Sequence, residues 1–102
     1  MHAKPTPIHD EALRAVRASV PHGWIRQANP HRLAPALKAA SDAARATITT
    51  NGATVDADPE VETILTRIDN FAANPGNILD RRKTALSLSS TLTNAIARRD
   101  AA

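Results

Sequence analysis

Asp58-Pro59-Glu60-Val61-Glu62-Thr63-Ile64-Leu65-Thr66-Arg67-Ile68-Asp69-Asn70-Phe71-Ala72-Ala73-Asn74-Pro75-Gly76 is the stretch whose reading decides the fold. Aspartate is a favoured helix N-cap and proline a favoured first helical residue, so Asp58 and Pro59 mark a start. Glu60 and Glu62 then fall in the first turn, where carboxylates offset the positive end of the helix dipole. Val61, Ile64, Leu65, Ile68, Phe71 and Ala72 recur at helical spacing and gather on one stripe. The pattern ends at Asn74, and Pro75 with Gly76 breaks the chain there. A helix with one apolar stripe has to bury it against neighbours, and the flanking sequence offers more helices of the same kind.

Beyond the break, a further helix is expected from near Asn77 to about Arg99. Ile78, Ala85, Leu92 and Ile96 form the centre of its apolar side, with Leu79, Leu86 and Leu88 flanking. The alternation Leu86-Ser87-Leu88-Ser89 has strand periodicity, but the length of the segment and its lack of β-branched neighbours favour helix. Before the break, Thr6 and Pro7 cap and open a first helix whose apolar side is Ile8, Ala12, Leu13, Val16 and Val20. Asp10 and Arg14 stand four apart on its other side and are expected to pair. A second helix begins near Asn29 and Pro30 or only at Pro35, because a proline six positions in would clash with the preceding turn. Leu33, Leu37, Ala40, Ala44 and Ile48 are its buried stripe, while Lys38, Asp42, Arg45 and Thr49 face away. The run Thr47 to Thr50 is a candidate to fray, and Asn51 with Gly52 supplies a left-handed close.

The fold class is therefore all-α, a small antiparallel bundle of about four helices joined by short connections. Residues 1–6 are expected to be a disordered tail and residues 7–100 a single domain. The chain has 102 residues, and of its 43 hydrophobic ones 21 are alanine, so the core is thin and the helices must approach closely. Two helical hairpins exchanged between protomers, a homodimer, are the runner-up architecture.

Several function classes lose support. Without cysteine there is no disulfide or thiolate metal site, and no run of apolar residues is long enough to span a membrane. Met1 to Pro7 lack the apolar stretch of a secretory signal, so a cytoplasmic location is expected. Ten arginines against three lysines, with abundant alanine, suit a GC-rich bacterium or its phage. Gly23, Gly52 and Gly76 are the only glycines, too few and too scattered for a phosphate loop or a nucleophile elbow. His2, His9, His22 and His31 have no partner at ligand spacing, and His9 falls near the apolar side of its helix. No enzyme activity, cofactor or metal is expected.

What remains is charge. Residues 1–50 carry a balance of +4, residues 51–77 of −4 and residues 78–102 of +3. Arg81, Arg82 and Lys83 crowd the first turn of the last helix, where cations are unfavourable and anions are welcome. If the turn at Pro75 and Gly76 is tight, residues equidistant from it face each other and Asp69 neutralises Arg82. By the same mirror, Arg98 and Arg99 overhang the preceding helix, within reach of Asp56 and Asp58 alone. Trp24 lies between two helices and between prolines, either lidding the core with Ile25 or serving as an interface anchor beside Arg26. Trp24, Arg26, Arg81, Arg82, Lys83, Arg98 and Arg99 are thus the candidate partner-binding residues. The expected function is that of a non-catalytic small helical regulator, adaptor or phage-type inhibitor on an acidic protein surface. A weakly specific nucleic-acid binder using the same arginines, and a structural homo-oligomer, are the alternatives.

Overall fold

The computed structural model describes residues 7–51 and 58–101. Their elements are α1 Pro7–Ser19, α2 His22–Gln27, α3 Pro30–Asn51, α4 Pro59–Ala73 and α5 Ile78–Ala101, with no strand among the described residues. Thr6, Gly52, Asp56 and the expected tail at residues 1–6 lie outside them. Four of these helices are the ones the apolar spacing predicts. The short α2 is an addition, so Trp24 lies on a helix rather than in a connection.

The order of contacts is that of an antiparallel bundle. α3 packs against α1, α4 and α5, and α5 packs against every other helix. The start of α1 meets the end of α5, and Ser41 and Arg45 in the second half of α3 reach Asp69 on α4. α2 lies along the first half of α5: His22 Nδ1 and Ser89 Oγ share a hydrogen bond of 3.1 Å, and Arg82 reaches the carbonyl of Ala28. The molecule is elongated, 47 Å in its longest dimension, so its two ends are chemically separate places.

Inside, the expected stripes converge. Leu13, Val16, Ile25, Leu33, Val61, Leu65 and Ile68 are the large side chains with almost no exposure, and Ala12, Ala40, Ala44, Ala85 and Ala95 fill the spaces where helices come close. Each large aliphatic buried this way contributes about 1.5 to 3 kcal/mol. Asp58 caps α4, accepting from the Val61 amide at 3.4 Å, with Pro59 as first helical residue.

Some local expectations need correction. α3 is continuous through Pro35, although proline costs it the bond to His31 four residues back. His31 and Pro35 both lie on the exposed face, where water replaces the lost partner. The Thr47 to Thr50 run stays helical, with the Thr47 and Thr50 hydroxyls donating to the carbonyls of Ala43 and Ala46. Asn51 is still helical and no non-glycine residue described has positive φ, so Asn51 is not a left-handed close.

The largest departure is the register of α4 and α5. A mirror about Pro75 and Gly76 sets Glu60 against residue 91, whereas Glu60 pairs with Arg98, and Arg67 shares a groove with Thr91. The connection from Asn74 to Asn77 is not a tight turn: Asn74 has φ −146° and ψ 73°, and Gly76 takes φ +73°, a region glycine enters without strain. α5 is therefore slid along α4. Its first turn juts past the end of α4, which leaves Leu79 85% exposed, and its last turn is drawn back over the start of α4.

Candidate functional site

The slide decides which cations are spent on folding. At the end of α5, the Arg99 guanidinium is held by Asp10 of α1 at 2.5 Å, by the capping Asp58 at 2.5 Å and by Glu60 at 3.0 Å. Its side chain is only 7% exposed, so this is a buried knot of three helices and not an overhanging end. Burial alone would raise the Asp58 carboxyl, but the hydrogen bonds from Arg99 and the Val61 amide outweigh it and hold the group below its ordinary range. Burial likewise opposes the Arg99 charge, and its three carboxylates more than restore it. Arg98 pairs with Glu60 at 2.8 Å, and Arg14 with Asp100 rather than with Asp10. Of the partner-binding candidates, Arg98 and Arg99 therefore sit at this ion-paired end, Arg99 buried among carboxylates and Arg98 in an exposed pair. His9, near the apolar side of α1 as expected, is buried beside this knot, and its Nδ1 has no hydrogen-bond partner.

Asp69 is also taken, but by α3. Ser41 Oγ donates to it at 2.7 Å, and Arg45 donates through Nη2 at 2.8 Å while also reaching Glu62 at 3.0 Å. Burial would raise the Asp69 carboxyl, and these donors lower it below its ordinary range. Arg45, expected to face solvent, is the half-buried clamp between α3 and α4. Asp69 therefore does not neutralise Arg82.

The opposite end of the bundle gathers most of the cations left without a carboxylate, although Arg17 on α1 and Arg67 on α4 are also unpaired among the described residues. Arg82 donates from Nη2 to the Ala28 carbonyl at 2.6 Å, its Nε is buried without a partner, and Arg81 Nε donates to the Gly76 carbonyl at 3.2 Å. Among the described residues no carboxylate pairs with Arg26, Arg32, Arg81, Arg82 or Lys83. Arg26 and Arg32 flank Ala28 in the chain, so the contact from Arg82 draws both arms of this set together. α3 starts here with no acidic residue in its first turn, and α5 with Asp80 alone, so two positive helix ends add to the field. Of the sequence-derived candidates, Trp24, Arg26, Arg81, Arg82 and Lys83 share this end.

Two concavities open there. One, of about 330 Å³, runs between Trp24 and Arg32 over Pro35 and Ala36. The other, of about 640 Å³, has Ala34, Pro35, Ala72, Ala73 and Pro75 as walls, with His31, Lys38 and Arg81 among the polar residues lining it. They meet at His31 and Pro35. Trp24 is half-buried and packs against the core, and its neighbour Ile25 is fully buried. Sequence reasoning missed Arg32, His31 and Lys38 as members of this surface. The absence of any acid in the first turn of α3 was the available signal.

These features define an all-α bundle with one ion-paired end and one end where the cations meet no carboxylate among the described residues. No protein-family model, curated protein or solved structure matches the chain. No described helix is long and apolar enough to cross a membrane.

Proposed function

We propose that this protein is a non-catalytic helical binding protein that sets its basic end on an acidic surface of another protein. The observation that carries the reading is the sorting of cations: the α1 start and α5 end consume their charges internally, whereas Arg26, Arg32, Arg81, Arg82 and Lys83 meet no carboxylate of their own chain. Such a patch attracts and orients an acidic partner over distances comparable to the Debye length, about 8 Å at physiological salt. Trp24, half-buried among these arginines, supports a protein over a phosphate backbone, since tryptophan ringed by polar residues is the composition of an interface hot spot. A patch of one sign does not complement itself, which speaks against a symmetric homodimer through this surface.

The test uses the wild-type chain and an Arg26→Glu/Lys83→Glu variant as baits in lysate of the native host, with and without nuclease. Both substituted positions are exposed, so folding should be unaffected. A protein retained by wild type after nuclease and lost by the variant is the expected result. Equal retention by both baits, or retention abolished by nuclease, overturns the reading.

A further inference from the structure

We infer that the groove between α3, the end of α4 and the α4–α5 connection is a docking site for an acidic peptide segment carrying one apolar side chain close to a carboxylate. This rests on the reading above and names the part of the partner that the basic end grips.

The groove exists because Ala34, Ala72 and Ala73 are too short to close the space where α3 and α4 reach the slid connection. Its volume, about 640 Å³, lies in the range of about 300 to 1,000 Å³ in which pockets hold compact ligands. Its apolar walls are alanine methyl groups and proline rings, with no large apolar side chain among the described residues to fill the space between them, so an incoming aliphatic or aromatic side chain finds an apolar seat. Two cations, Arg81 and Lys38, line it. Arg81 uses Nε on the Gly76 carbonyl, which leaves both terminal nitrogens of the guanidinium for a two-point grip on a carboxylate. Lys38 stands on the opposite wall, bonded to Asp42 at 2.9 Å on the exposed face of α3. Among the described residues Asp69 is the only carboxylate lining the groove, and Ser41 and Arg45 hold both its oxygens, so it offers an acidic visitor little repulsion. An apolar seat beside a cationic rim complements a side chain and a carboxylate within a few residues of each other in one peptide.

The experiment selects a random displayed peptide library on the immobilised full chain and measures the enriched peptides by fluorescence anisotropy. The proteins compared are wild type, Arg81→Glu, Ala73→Leu and Arg26→Glu. Ala73 is exposed in the last turn of α4, so leucine there fills the groove without entering the core, and circular dichroism with urea unfolding establishes that each variant folds. The expected peptides pair a large apolar residue with a nearby aspartate or glutamate. They weaken by about tenfold or more on Arg81→Glu and on Ala73→Leu, and by less than about threefold on Arg26→Glu. Acidic peptides that lack the apolar residue, or that bind Ala73→Leu as tightly as wild type, overturn the groove while the basic end keeps its role. If no acidic peptide is enriched and a random duplex binds with steep salt dependence, both the groove and the protein partner fall.

Discussion

Arg99 and Arg98 are neighbours in sequence with opposite physical situations. Arg99 is buried among three carboxylates, and replacing it by methionine leaves Asp10 and Asp58 without their cation and Glu60 with the exposed Arg98 alone. Removing one member of such a buried set costs about 3 kcal/mol, read as a lower urea midpoint, whereas Arg98→Met, at a side chain 66% exposed, costs less than about 1 kcal/mol. Equal losses would contradict the burial described. Asp58 in this knot and Asp69 in the α3–α4 clamp shape the acid limb of stability. Asp58 and Asp69 have folded pKa values below those of the unfolded chain, so the unfolded chain takes up protons first as pH falls. Their contribution is complete above the unfolded carboxyl value, about pH 4, and disappears as pH drops through the folded values. Urea midpoints should be level from neutrality to about pH 5 and then decline, with a shallower decline in Asp58→Asn. An unchanged acid limb in that variant would show that Asp58 keeps an ordinary carboxyl in the folded chain.

At the level of elements, α4 was legible almost residue by residue, because Asp58, Pro59, the apolar spacing and Asn74 all give the same answer. The buried stripes of α1 and α3 were legible for the same reason. Two features were not. Pro35 argues locally against helix, yet the apolar side of α3 runs through it, and packing of Leu33 and Leu37 outweighs the local cost. Pro35→Ala is therefore expected to stabilise the protein by about 2 kcal/mol, since it restores an amide donor for His31 and removes a ring clash. No gain in melting temperature would mean that the helix has absorbed the proline by bending at no cost. The second feature, the slide of α5, depends on backbone angles at Asn74 and Gly76 that the letters Asn-Pro-Gly leave open. A tight turn and an extended one use the same residues, and they exchange the fates of Arg82 and Arg99. Two of the seven candidates, Arg98 and Arg99, lie at the ion-paired end for that reason.

Over the whole molecule, the charge blocks of the sequence become two ends with different salt responses. Unpaired, solvated cations at the basic end are screened readily, while the knot around Arg99 is shielded from ions by burial. Raising salt from about 0.05 to 0.5 M should slow association with an acidic partner much more than it speeds dissociation, while the urea midpoint of the free chain barely moves. Surface plasmon resonance and urea unfolding on one preparation separate the two, and a midpoint that falls in step with the association rate would place the stabilising pairs at the surface. The knot also bears on how the chain is made. Asp10 and Arg99 are 89 residues apart, so a growing polypeptide displays three acids of the future clasp well before the guanidinium that joins them has been synthesised. α1, α3 and α4 can pack as they emerge from the ribosome, but the clasp between the starts of α1 and α4 waits for the far end of α5, and a chain halted before that arginine would leave those two ends unclasped.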